Sequence, residues 1–463
     1  MNHVVIGSSS IATTLLHSRG DIYSDRDQAP MSVHLLSDHL RPVFLPYGDD
    51  WRLFRKFSNS VLNTNAAANY EPIQRSEAIR MVYSLIASPK QYEKWLERYS
   101  ASVILRLAYG ITLHSTEDPL LKRILMVDHH LERIASPGVY LVDTFPSLMY
   151  LPDWLAPFKR EGKRLHAEEL DLFSSLIEDV DRRLRAGDKS AEGCFTAKYL
   201  EDKEKWDMNP GLAAYIIGTM FEAASGTTSA AMMSWLLAMV LHPDKLKKLQ
   251  AELDKVCGDE MPDFHHVPHL PYLRACVKET LRWRPVTAGG LPHKLTARND
   301  IFTLDGIDYL IPKDSLVHWN QWAIHRDPDL YPEDGPYPPE AFCPERWLDP
   351  KSPVYREPLD THPNIKNWSS FGFGRRTCPG QNIAERSLYI ETALIGWTCD
   401  VTRKKGQKVG EGLCDREYKE GYIDGFNTQP KWFEFEVMPR KERKKVLGQE
   451  YKMLWGETEG DGG

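Results

Sequence analysis

A mainly α fold with small β sheets, in one large domain, is what this 463-residue sequence predicts. Three observations carry that prediction. Helical periodicity and helix start signals recur through most of the first half of the chain. β-favouring groups are short and, apart from the N-terminus, fall in the last third. One long segment, residues 211–241, carries a single charge, Glu222, and sits mid-chain. A helix apolar on all sides belongs in the middle of a large core.

Composition agrees. Hydrophobic residues make up 42% and charged residues 27%, so a sizeable core forms and disorder is not expected. A net charge of -7 speaks against a nucleic-acid partner. The seven cysteines, at 194, 257, 276, 343, 378, 399 and 414, are scattered and contain no Cys-x-x-Cys pair. That pattern argues against a disulfide framework or a structural zinc site and for a reducing compartment. The opening residues read as neither a signal peptide nor a membrane anchor.

Residues 4–6 read as a short strand, and 10–20 as a helix ended by Gly20. Residues 29–48, with Pro30, Pro42 and Pro46, are loop-like. Helical periodicity returns over 49–62, where Trp51, Phe54, Phe57 and Val61 fall on one side, and again over 77–109. Residues 139–158 are apolar, aromatic and broken by prolines. They read equally as a buried loop or as a lid over an apolar cavity that also touches a membrane surface. A charged surface helix covers 162–187. Asn209 and Pro210 start the apolar helix, roughly 45 Å long at about 1.5 Å per residue. Ser225, Thr227, Thr228, Ser229 and Ser234 dilute it, which favours a core helix over a membrane span. Two more helices cover 244–257 and 272–284. Short strands are expected within 300–317, a last hairpin over 426–438, and a disordered tail over 446–463.

The chemistry concentrates in Phe371-Gly372-Phe373-Gly374-Arg375-Arg376-Thr377-Cys378-Pro379-Gly380. Glycines let backbone approach a flat group where a Cβ would clash. The loop feeds a helix N-terminus, whose dipole favours an anionic sulfur. A metal ion neutralises a buried thiolate well. A lone cysteine beside glycines is ordinarily a core cysteine, but the whole spacing is more specific. Phe371, Gly374, Arg376, Cys378 and Gly380 match every fixed position of the haem-binding loop of the cytochrome P450 family, which this sequence strongly resembles. Glu279-x-x-Arg282, then Pro344-Glu345-Arg346-Trp347, then the cysteine loop follow the order seen in that family.

The resemblance implies a cytochrome P450 fold over residues 1–445, as a single haem-centred domain lacking the usual N-terminal anchor, hinge and first strand. The strand at 4–6 then lacks a β partner. It implies haem b with its iron ligated by Cys378, and Phe371 and Gly372 lining the cofactor. Trp51, Arg55, His293 and Arg376 become partners for its propionates. Glu279, Arg282 and Arg346 become a buried ion network with a folding role. Ala223-Ala224-Ser225-Gly226-Thr227-Thr228 resembles the oxygen-activation helix. Thr227 keeps its hydroxyl and Gly226 stands where an acid is usual. Glu222, one turn earlier, is a candidate proton relay.

The implied activity is a haem-thiolate monooxygenase inserting one oxygen atom from O2 into an apolar or aromatic small molecule, most like fungal members of secondary metabolism. An NADPH-dependent flavoprotein reductase is the implied partner, docking where Arg52, Arg55, Lys56 and Arg375 are basic. The implied location is the cytosolic face of the endoplasmic reticulum membrane, with peripheral contact, or the cytoplasm for a chain without an anchor. Two other readings stay open: a peroxide-using or rearranging haem-thiolate enzyme, and a non-catalytic remnant.

Overall fold

The computed structural model describes residues 2–136, 138–406, 421–423, 425 and 427–456. Strand β1 (His3–Ile6) comes first, followed by helical turns over 9–18 and 30–36. Helix α1 (Asp49–Leu62) starts on Asp49 and Asp50 and buries Trp51, Phe57, Val61 and Leu62. Acids in a first turn complement the helix dipole. Helices α2 (Glu71–Ala87) and α3 (Tyr92–Tyr109) follow. Gly110 ends α3 at φ +62°, where an added Cβ would sit 2.0 Å from the Ser190 carbonyl oxygen. Only glycine satisfies both the left-handed backbone and that approach.

Helix α4 (Pro119–Ala135) is absent from the sequence expectation, although Asp118, whose side chain accepts from Leu120 N–H, and Pro119 are ordinary start signals. Helix α5 (Pro157–Arg185) is the charged surface helix. Helix α6 (Pro210–Leu241) is the apolar one, capped by Asn209. It is long and apolar enough to cross a membrane, but 78% of that window is buried inside the protein. It packs on α3 and α5, on α7 (Pro243–Val256), and on α8 (Pro271–Trp283) and α9 (Gln381–Thr398).

The sheets are small. Strand β1 runs parallel to β5 (Leu316–Trp319), which also pairs with β2 (His293–Lys294). The first strand therefore has a partner. Its outer edge stays open, with Val5 64% exposed. β3 (Asp300–Leu304) and β4 (Ile307–Ile311) form a separate hairpin. The hairpin expected over 426–438 does not form as one unit. β8 (Gln429–Pro430) pairs with β7 (Tyr422–Ile423), whereas β9 (Phe435–Pro439) pairs with β6 (Cys399–Arg403). Long-range pairing decided a register that local alternation left undetermined.

A second correction concerns the C-terminus. Residues 441–455 form helix α10 (Lys441–Trp455), not a disordered tail. Leu447 and Tyr451 are buried, the Tyr451 ring stacks on Tyr83 at 4.0 Å, and Trp455 donates to the Ser76 carbonyl. Tertiary packing rather than helix propensity holds such a short, charged helix. Residues 457–463 lie outside the described residues.

Candidate functional site

The cysteine loop closes on itself. Cys378 N–H donates to the Phe371 carbonyl at 2.8 Å. Gly372 and Gly374 adopt φ +83° and +58°, and a Cβ on Gly374 would lie 2.0 Å from the Leu16 carbonyl oxygen. Phe371 packs on the main core. The Cys378 thiol meets the N-terminal end of α9. Burial pushes it up, while backbone N–H groups of Gly380 and Gln381 and the Arg55 charge pull it down. Cys399, by contrast, is fully buried at the start of β6, its thiol pushed up to about 12 by burial. It is a core cysteine.

Behind the loop lies the ion network. Glu279 is fully buried and accepts from Arg282 Nε and Nη2 at 2.9 and 2.8 Å, from Arg346 Nε at 3.0 Å, from Cys343 N–H and from Trp347 Nε1. Burial opposes its charge, but Arg282 and Arg346 win and hold the carboxyl below its ordinary range. A buried ion pair needs this many extra hydrogen bonds to offset desolvation. The network ties α8 to residues 337–347, next to the cysteine loop.

Cations gather beside Cys378. Arg55 donates to the Thr377 carbonyl at 2.6 Å. Arg376 donates to the Ser24 and Leu45 carbonyls, both at 2.7 Å. Both guanidinium groups lie over the Trp51 ring, at 6.0 and 5.1 Å. His293 is buried with Nδ1 on the Tyr23 carbonyl, and burial, then Arg26, hold it neutral. Arg26 is a residue the sequence reading missed. It is buried and donates to the Val43, Leu291 and Pro292 carbonyls. Flanking Asp25 and Asp27 gave its segment a surface look.

Burial lowers Arg26 to about 10, lowers Arg55, and lowers Arg376 to about 8. None of the three forms an ion pair with a described carboxylate. Asp25, whose charge acts on Arg26 and Arg376 without an ion pair, accepts the Tyr47 N–H. Buried guanidinium groups without a direct ion-pair partner are costly. A flat dianion with carboxylates at this edge matches that donor set, so the residues fit haem.

On α6, Thr227 donates to the Ala223 carbonyl at 2.8 Å. Ala223 is exposed and Thr227 partly so on a helix otherwise mostly buried. That face is the one open for chemistry. Glu222 does not join it. Its carboxylate binds the fully buried Arg41, which also pairs with Glu169 at 2.5 Å. Glu222 lies about 100° around the helix from Ala223, and its side chain turns to Arg41. One carboxylate oxygen of Glu222 is thus held by Arg41, on the far side of the helix from the Thr227 hydroxyl.

These features define a cysteine-centred haem-binding class of fold and site. The profile of the cytochrome P450 family matches residues 1–402. The chain is 33% identical to the cytochrome P450 monooxygenase fogE of Aspergillus ruber, over 99% of this chain and 82% of that one. It is 36% identical to a cytochrome P450 monooxygenase of Armillaria gallica, over 97% and 85%. A zebra fish cytochrome P450 structure with progesterone superposes with TM-score 0.74 at 22% identity, covering 94% and 93%. The chain belongs to the cytochrome P450 family and is a haem-thiolate monooxygenase, an oxidoreductase whose haem iron is held by a cysteine. Members act on small molecules and take electrons from redox-partner proteins.

Proposed function

We propose that Cys378 is the thiolate ligand, and that the chain inserts one oxygen atom of O2 into an apolar or aromatic small molecule in secondary metabolism. The observation that carries this is the Cys378 thiol on the α9 N-terminus beside three guanidinium groups without acid partners. Trp51, Arg55, Arg376 and His293 would hold the cofactor, with Phe371 and Gly372 against it and Arg26 added to the set. When bound, the thiolate-ligated iron activates oxygen for attack on C–H bonds. The chain's own share is to bind, orient and exclude water. Backbone N–H groups at the α9 start favour an anionic sulfur, against the burial that pushes the thiol up. Thr227 Oγ1 sits on the open face of α6, where its hydroxyl can orient a water or hold a proton.

A second reading has a specific observation behind it. Gly226 offers no acid, and Glu222 is held by Arg41, which favours a peroxide-using enzyme that needs no proton relay to O2. Turnover with peroxide and no reductase separates the two.

For electron supply, Arg52, Lys56 and Arg375 are exposed and make a basic face for an NADPH-dependent flavoprotein reductase. Arg55 leaves that patch because it is turned inward. Leu141, Phe145, Tyr150 and Trp154 are exposed at 69%, 57%, 91% and 72%, which supports a lid touching a membrane surface, on the cytosolic face of the endoplasmic reticulum. Vesicle pelleting tests that point: protein that stays soluble with anionic and neutral vesicles removes it. The reduced carbon monoxide spectrum tests the main reading. A strongly red-shifted Soret band in wild type and none in Cys378→Ser is expected. A band that survives in Cys378→Ser overturns it.

A further inference from the structure

Residues 30–41, α4 and α5 are joined to α6 at one buried ionic cluster. Four pieces of chain meet there. Residues 30–41 contribute Arg41, fully buried, whose Nη2 donates to Glu169 at 2.5 Å and whose Nη1 donates to Glu222. Helix α4 contributes Asp128, which accepts the Ser225 hydroxyl of α6. Helix α5 contributes Glu169, and α6 contributes Glu222 and Tyr215, whose hydroxyl donates to Glu169 at 3.0 Å. His166 Nδ1 lies 2.9 Å from the same hydroxyl, and Glu132 of α4 accepts from Asn427 at 3.2 Å. Those are the titratable groups facing the cluster from each element.

The charges do not balance. Asp128, Glu169 and Glu222 face one guanidinium group, Arg41. One oxygen of each carboxylate (Asp128 Oδ1, Glu169 Oε1 and Glu222 Oε1) is buried and accepts no hydrogen bond from any described group. Three ionised carboxylates would leave two uncompensated charges in the interior, which a protein avoids by keeping protons. A carboxyl group that stays protonated can still accept from Ser225 or Arg41.

We infer that this Arg41-centred cluster is a proton-controlled latch that positions the roof, residues 30–41 with α4 and α5, on the central helix and sets how readily a substrate reaches Thr227. Protonated, the cluster is a balanced ion pair plus neutral acids, and the roof stays down. Loss of a proton adds like charge between α4, α5 and α6, and repulsion lifts the roof. The direction of titration agrees. Burial, then the Glu222 charge, pushes Asp128 well above its ordinary range, and burial pushes Glu169 up to about 7. Arg41 is the positioning residue. Glu222 belongs to the latch and not to a relay. The inference rests on the face beside Thr227 being the reaction chamber.

Hydrogen exchange of residues 119–185 reads the latch without using activity. In wild type, protection of α4 and α5 relative to intrinsic exchange should fall roughly tenfold between pH 6.5 and 7.5, the effect of one proton lost on opening. In Asp128→Asn with Glu169→Gln, which keeps one acid for Arg41, protection should change less than about twofold. Single Asp128→Asn, nearly isosteric, guards against misfolding of the pair and should show an intermediate fall. No fall in wild type, or an undiminished fall in the variants, overturns the latch. Stopped-flow binding of phenylimidazole to the haem-loaded protein addresses the underlying reading separately. A Soret shift whose rate rises with pH in wild type alone supports both. Exchange that behaves as expected with no Soret shift leaves the latch standing and refutes the chamber.

Discussion

Arg376 offers a test in which one substitution should have opposite effects on two forms of the protein. Burial first, then Arg26 and Arg55, lowers its pKa to about 8. At 1.36 kcal/mol per pKa unit, that corresponds to roughly 6 kcal/mol of lost charge stabilisation, an upper limit. Water penetration and relaxation reduce such penalties to about 2–3 kcal/mol for a partly buried ion. The Ser24 and Leu45 carbonyls, each accepting at 2.7 Å, lose a donor in Arg376→Met, at about 1 kcal/mol each. The haem-free protein should therefore change by about 1 kcal/mol or less, toward greater stability. With haem bound, the same substitution removes a charge-assisted hydrogen bond and leaves a propionate unpaired, about 2–3 kcal/mol or 30- to 150-fold in haem affinity. Urea midpoints on haem-free and haem-loaded protein, with Soret titration, measure both arms. Equal destabilisation of the two forms would show that Arg376 is a structural clip between residues 24 and 45 and not an anion partner.

Four further outcomes are expected. Glu279→Gln, which leaves Arg282 and Arg346 buried around a neutral amide, should cost about 3–5 kcal/mol, and pulse proteolysis or a chemical melt showing under 1 kcal/mol would remove its folding role. Glu391 is fully buried in α9 with neither oxygen bonded to a described group, and burial pushes its carboxyl well above the ordinary range. The folded protein thus keeps a proton that the unfolded chain releases near pH 4–5, so stability should fall as pH rises from there, and Glu391→Leu should flatten that fall and raise the melting temperature at pH 8. Among the described residues, the new Cβ of Gly226→Asp meets only Asn427 Nδ2, at 3.6 Å, and the variant should fold. It should raise the share of O2 consumption that ends in product, read as product against released peroxide; unchanged coupling would count against proton shortage at Thr227. Trp455→Ala should cost about 2–4 kcal/mol in α10 docking, because the ring sits 4.6 Å from Arg80 and donates to Ser76.

Much of this could be read along the chain. Spacing alone marked the cysteine loop, because φ-positive glycines and a cysteine at a helix start are local requirements. The bounds of α1 followed from helical periodicity, and the start of α6 from Asn209-Pro210, where the Asn209 side chain accepts a neighbouring N–H. Arg26 was illegible because its burial depends on carbonyls of residues 43, 291 and 292, which only folding brings near. The same applies to Glu222, whose helical position was clear but whose partner, Arg41, lies 181 residues away.

The sequence by itself determined the cysteine loop, the hydroxyl at Thr227 and the mainly α class, since each rests on local backbone geometry or on residue spacing along one element. Tertiary structure decided which charges are paired. It left Arg26, Arg55 and Arg376 without described ion pairs beside Cys378 and gathered three carboxylates around Arg41. Desolvation and Coulomb energy depend on distance in space, and a linear sequence does not contain that distance.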